Sequence, residues 1–372
     1  MRHGLRTTLT VTGLAVAVLA FGLLQTVVDA WYAGAASASG ARLVTRNAIS
    51  LTIFLPVSYE NRIRSVDGVS KVARSNWFGG IYQEPKNFFP QFAVSDNYLD
   101  LYPEFVLSEG ERAGWRRDRK GCLIGRQLAD QYGFKVGDVL PIRGTIYPGT
   151  WEFVVRGIFD GSDATKVTRL MLFHWDYLNE TLRRTAPRRA DYVGIYVVGA
   201  ESIDGVASTA VRIDDVFHNS LAETLTESEQ AFQLGFVAMS DQIIAAIRIV
   251  SYVVILIIMA VMANTMAMSA RERTSEYATL KVLGFGPGFL TVLIFGESLL
   301  ICAMGGAIGV LLTAPAAAFF KQVAGIFPIF AVSPDTVTMQ IACALVVALA
   351  AAVLPAVRAA RVRIVEGLRA IA

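Results

Sequence analysis

Residues 249–270 read IVSYVVILIIMAVMANTMAMSA, 22 consecutive positions without Asp, Glu, Lys or Arg. About 20 apolar residues carry an α-helix across the hydrocarbon core of a bilayer, so this run is long enough to span a membrane. Three more runs match it. Thr7–Val28 and Thr336–Val357 are charge-free over 22 residues each, and Ser298–Phe320 over 23. Glu297 alone separates the third run from an apolar approach that begins at Val282. The competing reading, four helices buried in one water-soluble core, suits the composition poorly: 54% of residues are hydrophobic and 17% charged, where soluble domains usually carry about a quarter charged residues. The fold class expected is an α-helical membrane protein with four transmembrane helices plus an α+β extracytoplasmic domain.

The first run has a specific rival. Met1–Arg6 is basic, and Ala36-Ser37-Ala38 reads as a small-residue cleavage site, the marks of a secretory signal. The apolar stretch is longer than the roughly 7–15 residues of such signals, which favours a retained span. Lys and Arg near the span ends set the orientation. Arg2 and Arg6 precede the first span, Arg271, Arg273 and Lys281 lie between the second and third, and Arg358, Arg361, Arg363 and Arg369 follow the fourth. That side is read as cytoplasmic. Lys321 is the only basic residue between the third and fourth spans, so residues 29–248 are expected outside. This outer segment carries 24 basic and 26 acidic residues, and the overall charge of +3 gives no reason to expect nucleic-acid binding.

Within the outer segment, helix-like and strand-like stretches alternate. Strands are expected at Ser50–Phe54, Val72–Tyr82, Phe88–Val94, Cys122–Ile124, Val139–Arg143, Trp151–Phe159, Leu170–Phe173 and Tyr192–Val198. Helices are expected at Val57–Val66, Gly125–Tyr132 and Ile203–Phe217, the whole forming an α+β domain in two lobes. Ser220–Arg248 has no Pro and one Gly, and Asp29–Thr45 follows the first span directly, so both spans are expected to continue outward as a helical stalk; two flexible linkers are the alternative.

Catalytic constellations are missing from the sequence. His3, His174 and His218 are scattered without metal-ligand spacing. No GxSxG, HExxH, GxGxxG or GxxxxGK[ST] pattern occurs, so neither a hydrolase elbow nor a Walker loop is present. Of the three cysteines only Cys122 lies in the outer segment; Cys302 and Cys343 lie in spans, which leaves no disulfide within the outer domain. The membrane half is more informative. Glu297 is a carboxylate in an apolar stretch and is expected to bond a loop or neighbouring helix near the cytoplasmic interface, a proton relay being the other reading. Of Gly305, Gly306 and Gly309, the first and last form a GxxxG spacing that bares one stripe of the third span for close helix packing, and Asn264 offers an interhelical hydrogen bond from the second. Between these spans, Arg271–Leu283 is polar and Gly-free, with Tyr277, Leu280 and Leu283 read as one flank of a short helix. Gly284 ends it and Pro287 starts the next. On its own the segment suits either a partner contact or a helix lying on lipid headgroups.

This loop also carries a resemblance. Glu272-Arg273-Thr274-Ser275-Glu276-Tyr277-Ala278-Thr279-Leu280-Lys281-Val282-Leu283-Gly284 closely resembles the ER-x-x-E-hydrophobic-x-x-LKALG signature of MacB/FtsX-type ABC permeases, with Val282 in place of Ala. Glu297-Ser298-Leu299-Leu300 followed by Gly305-Gly306-Ala307-Ile308-Gly309 is similar to the family's E-x-L-L and G-G-x-x-G. Pro355-Ala356-Val357-Arg358-Ala359-Ala360-Arg361 through Val365-Glu366-Gly367-Leu368-Arg369 resembles its PA-x-RAAR-x-x-PVEALR ending, with Ile364 and Gly367 replacing Pro and Ala.

The resemblance implies a first span in residues 1–30, a periplasmic core of porter-plus-sabre type with its stalks in 31–243, and a permease domain in 244–372 with a coupling loop at 271–286. It implies a non-catalytic subunit of the bacterial inner membrane that binds no cofactor itself. ATP and Mg would be held by a separate ABC ATPase contacted through Glu272, Arg273, Glu276, Tyr277, Leu280, Lys281, Leu283 and Gly284. A second permease copy or paralogue, a periplasmic adaptor and an outer-membrane channel are the other implied partners beside the lipid bilayer. The implied mechanism is mechanotransmission: ATP-driven motion relayed through the spans to the outer domain, for export or extraction of a lipid, lipoprotein, peptide or drug-like substrate. Regulation of a cell-wall hydrolase is the alternative within the family. A membrane-tethered sensor is the alternative outside it, and the cytoplasmic segments are too short for a signalling module.

Overall fold

The computed structural model describes residues 2–36, 38–162, 168–323 and 330–360. The chain divides into a sheet unit, Tyr32–Ala238, and a helical unit drawn from the residues up to Trp31 and from Met239 onward.

The first helix, α1, runs Arg2–Ala36. The sheet unit then contains β1 (Arg42–Asn47), β2 (Leu55–Pro56), α2 (Tyr59–Arg64), β3 (Val69–Trp77), β4 (Ile81–Tyr82), β5 (Gln91–Val94) and β6 (Phe105–Val106). It continues through α3 (Glu109–Arg117), β7 (Gly121–Gly125), α4 (Arg126–Tyr132), β8 (Val139–Gly144), β9 (Gly149–Gly161), β10 (Met171–His174) and α5 (Trp175–Thr185). β11 (Tyr192–Val193), β12 (Ile195–Ala200), α6 (Val206–Phe217), β13 (Thr224–Ser228) and α7 (Glu229–Ala238) complete it. One sheet of order β13-β1-β12-β3-β5-β10-β7-β9-β8-β4 runs through the unit, with β6 beside β9 and a separate β2–β11 pair. The β5–β10 and β7–β9 pairs are parallel and the other pairs antiparallel.

Successive strand residues point to opposite faces, and here both faces are covered. Val72, Cys122, Phe173 and Val198 enter one core; their neighbours Ala73, Leu123, Leu172 and Val197 enter the other. That is why these strands read as unbroken apolar runs. Phe78 anchors the first core with Tyr147, Trp151, Phe153 and Phe173 around it at ring separations of 5.3–5.9 Å.

Two expectations fail. Ser50–Phe54 is a turn, because the Ser50 hydroxyl accepts the Thr52 amide at 3.2 Å and offers the backbone a local alternative to a ladder. Ile49 and Ile53 face solvent there, so the β-branched side chains find no sheet to cover. The continuous helical stalk is also broken. Thr224–Ser228 pairs with β1 as a strand, α7 follows, and Met239–Ser240 separates it from the next helix; on the other side α1 stops at Ala36 and β1 begins at Arg42. The reason lies in tertiary partners. The Thr45 and Thr226 hydroxyls meet at 2.9 Å, and Asp214 accepts from the hydroxyls of Thr224 and Thr226 at 2.8 and 2.7 Å.

The helical unit adds α8 (Asp241–Glu272), α9 (Thr274–Val282), α10 (Pro287–Val323) and α11 (Pro334–Ala360) to α1. Four of these, α1, α8, α10 and α11, are long and apolar enough to cross a membrane. Glycine lets them approach. A Cβ on Gly305 or Gly309 would lie 2.9 Å from the Val11 carbonyl oxygen or 2.7 Å from that of Ala15, so α1 packs on that stripe of α10. A Cβ on Gly306 would instead meet the Ala344 Cβ of α11 at 3.0 Å. Ser298 on α10 donates to the Ala348 carbonyl of α11 at 2.8 Å.

Candidate functional site

The turn between α8 and α10 brings most of the predicted site residues into one small structure. Arg273 is the hinge residue, capping both the end of α8 and the start of α9. Its guanidinium Nη1 donates to both carboxylate oxygens of Glu297 on α10, each at 3.0 Å. Glu297 is therefore satisfied by a loop cation, and the pair is about one-third exposed on each side (35% and 31%), so water moderates its strength.

The far end of α9 is closed by backbone geometry. Gly284 has φ +95°, its amide donates to the Lys281 carbonyl at 3.1 Å, and the Phe285 amide donates to the Leu280 carbonyl at 3.0 Å. This is the double hydrogen bond of a Schellman cap, which needs a left-handed residue at the position Gly284 fills. The glycine that ends the sequence motif is thus a mechanical requirement, and Pro287 opens α10 three residues later.

The expected flank is split. Tyr277 is buried with Met266, Leu290, Ile294 and Ala356, Leu280 packs against the same cluster, and Ala278 is fully enclosed. Burial raises the pKa of the Tyr277 hydroxyl above its ordinary value, keeping it neutral. Leu283 is 69% exposed. The reason is helical phase: positions three apart drift by about 60° per step, so a residue six positions on sits about 120° off the starting face. The outward surface of this turn is Glu272 at the end of α8, Glu276, Thr279 and Val282 of α9 and Leu283 after it, with Phe285 and Phe289 exposed just beyond and their rings 4.6 Å apart. Lys281 is half-buried. Of the packing residues, Gly305, Gly306 and Gly309 take the positions described above. Asn264 is exposed on α8 and makes no hydrogen bond to another helix among the described residues.

Polar contacts in the helical unit also arise from residues that the sequence reading passed over. Gln340, fully buried on α11, donates through Nε2 to the Val18 carbonyl of α1 at 2.9 Å and to the Thr313 hydroxyl of α10 at 2.8 Å. Gly22 makes room for it, since a Cβ there would stand 2.0 Å from that nitrogen. Asp29, within the C-terminal part of α1, accepts from Ser333 and Thr336 at 2.7 Å each, placing a carboxylate at the N-terminus of α11. The visible signal was a polar residue inside an apolar run, as for Asn264.

No group of three His, Cys, Asp or Glu side chains among the described residues is arranged to hold a metal. His174 is a buried structural residue, its Nδ1 2.9 Å from Asp96 and its Nε2 2.8 Å from the Trp115 carbonyl, while His218 is paired with its neighbour Asn219.

Two family profiles match the chain: MacB-like periplasmic core domain over residues 7–216, and FtsX-like permease C-terminal over residues 248–364. Among solved structures, the extracellular domain of the noncanonic ABC-type transporter YknZ from Gram-positive bacteria is similar at 16% identity, with 50% of this chain and 100% of that one covered and a TM-score of 0.37. The periplasmic region of MacB from Actinobacillus actinomycetemcomitans is similar at 10% identity over 53% of this chain and 92% of that one, also at 0.37. A domain of a putative permease protein from Porphyromonas gingivalis shares 16% identity over 50% and 88%, at 0.34. No curated protein matches the chain.

Proposed function

This chain belongs to the MacB/FtsX-like family of ABC transporter permeases, and from that premise we propose that it is the subunit through which a separate ATPase drives an outer domain. In this reading the α8–α10 turn is cytoplasmic, the sheet unit lies beyond the bacterial inner membrane, and ATP with Mg is bound only by the partner. Two permease copies, or this chain and a paralogue, complete the transporter. Its work is export or extraction of a substrate of the lipid, lipoprotein, peptide or drug-like class, with a periplasmic adaptor and outer-membrane channel as further partners.

The observation that supports it best is the construction of α9. The helix is fastened inward by Tyr277, Ala278 and the Arg273–Glu297 pair, and closed by the Gly284 cap. A force applied to its outward residues therefore passes to α8 and α10 instead of being absorbed in a loose loop. Outward, Glu276 and Leu283 offer a carboxylate and an apolar side chain to a docking partner.

The test is pull-down of the tagged chain from its native membranes, with the co-purifying ABC ATPase identified by mass spectrometry. Leu283→Asp sets a charge into an apolar contact, which costs on the order of several kcal/mol when unpaired. Since about 1.4 kcal/mol is tenfold in affinity, recovery of the ATPase should fall at least tenfold with membrane insertion unchanged. Leu280→Asp is the poorer probe because it disrupts the unit's own packing. Equal recovery from wild type and Leu283→Asp would remove α9 from the contact.

A further inference from the structure

Between β5 and β7 the chain leaves the main sheet and returns. Residues 97–117 carry β6 and α3 and lie over the second core, with Tyr98, Leu99, Leu101, Tyr102 and Trp115 turned onto it. His174, at the end of β10 and 2% exposed, touches this flap at both of its ends. Its Nδ1 stands 2.9 Å from a carboxylate oxygen of Asp96, immediately before the flap. Its Nε2 stands 2.8 Å from the Trp115 carbonyl oxygen in the last turn of α3. The Trp115 indole stacks on the imidazole, the ring centroids 4.3 Å apart and the planes 12° from parallel.

Both partners are acceptors. A neutral imidazole has one N–H, so one of the two contacts would set lone pair against lone pair; only the ring with a proton on each nitrogen makes both hydrogen bonds. A neutral acid donating to a neutral ring requires a proton on Asp96, whose side chain is 55% exposed to water that favours the carboxylate. The carboxylate, the C-terminal end of α3 and the indole face all favour the cation. We infer that His174 is a pH-operated latch: as an imidazolium it pins both ends of the flap, and on losing a proton it releases one of them. A group that gains partners as a cation on folding contributes stability that is present at low pH and lost as pH rises through its titration. The other charged groups around the ring are Asp176 on α5, paired with Arg119 and Arg74, and Arg116, whose charge acts on Asp96. Asp118 after α3 is paired with Arg156, and Asp100 on the flap with Arg112. Carboxylates and guanidinium groups ordinarily keep their charges between about pH 5 and 8, where an imidazole changes its own.

The flap also holds Arg42 of β1 through the Leu101 carbonyl and Glu104, and Glu229 of α7 through the Tyr102 hydroxyl, so its release loosens the elements next to α1 and α8 in the chain. The latch goes beyond the permease reading and does not need it; on that reading it answers to the acidity of the outer medium. Hydrogen exchange of the full chain in detergent tests it, with rates normalised to the intrinsic rate at each pH. Between about pH 5 and 8 the protection of residues 97–117 should fall about fivefold, the worth of roughly one hydrogen bond, while β8 and β12 keep theirs. Asp96→Asn should keep the flap protected at both values, because an amide offers an N–H to the bare nitrogen of a neutral ring and a carbonyl to a protonated one. His174→Phe keeps the stack on Trp115 and should leave the flap weakly protected at both. The chain has three histidines, so isotope-labelled histidine gives three rings by NMR. The ring lost in His174→Phe should carry two N–H protons at about pH 5 and one at about pH 8. A ring with one N–H throughout, or flat protection in the wild type, overturns the latch. So does a loss shared equally by β8 and β12, or an Asp96→Asn chain that keeps the wild-type dependence.

Discussion

In the sheet unit, Arg42 is 6% exposed and yet charged: its guanidinium meets Glu229 at 2.7 Å, the Leu101 carbonyl at 2.8 Å and Glu104, and it lies 4.0 Å over the Tyr102 ring. In the helical unit, contacts of comparable closeness are made by having no side chain at all, at Gly22, Gly305 and Gly309. The difference follows from what each unit must outcompete. A sheet in water gains from every apolar residue it covers, so its layers pack regardless of detail and buried polar networks choose the arrangement. Helices in lipid gain little by exchanging lipid for protein, so shape and a few hydrogen bonds decide which helix meets which. The same reasoning explains why one amide, Gln340, reaches both α1 and α10 from α11.

Breaking the Arg42 network is the strongest test of that contrast. Arg42→Met leaves Glu229, 5% exposed, buried without its cation, and removal of one partner from a buried pair costs about 3–5 kcal/mol. Hydrogen exchange on the full chain in detergent should show protection lost across β1, β12 and β13 while α10 and α11 keep theirs. Loss spread evenly over both units would mean that they do not unfold separately.

A smaller effect is expected from the helical side. Gly309→Val forces side-chain atoms against α1, where even a Cβ would be 2.8 Å from the Val18 Cβ, and overpacking of this kind costs about 1–3 kcal/mol. Gly288→Ala, on the same helix with open space around it, should be neutral. Thermal aggregation in detergent ranks the two, and equal behaviour would show that the α1–α10 contact does not depend on shape.

The mildest probe is acid, which should act on the sheet unit. Asp96 is held below the usual aspartate pKa by its hydrogen bond to His174, Asp160 by Arg126, and Asp191 by Arg183 and Asn179. Depressed values mean stability that is present above the unfolded aspartate pKa of about 3.9 and lost as pH falls through the lower folded values. Lowering pH from 5 toward 3, pH values chosen about that constant, should reduce the urea midpoint of the sheet unit slightly. The double variant Asp160→Asn, Asp191→Asn should flatten the dependence; an unchanged slope would assign it to other groups.

The division between legible and illegible follows the range of the interactions. Spans, the α9 boundaries and most strands were readable because they depend on runs, caps and alternation within about ten residues. Ser50–Phe54 misled because a single hydroxyl outbid β-propensity, and β13 was missed because its partners stand far away, Thr226 bonding Thr45 across 181 positions.

By itself, the sequence determined four apolar runs of spanning length, an α+β segment between the first two, the absence of a Walker loop, and the Glu272–Gly284 signature that announces the family. Only the tertiary structure decided that Tyr277 and Leu280 turn inward while Leu283 turns out. It also decided that neighbouring glycines serve different helices. The physical reason is that a run of residues states which surfaces are apolar or bare, whereas the choice among surfaces belongs to whichever distant element comes to lie against them.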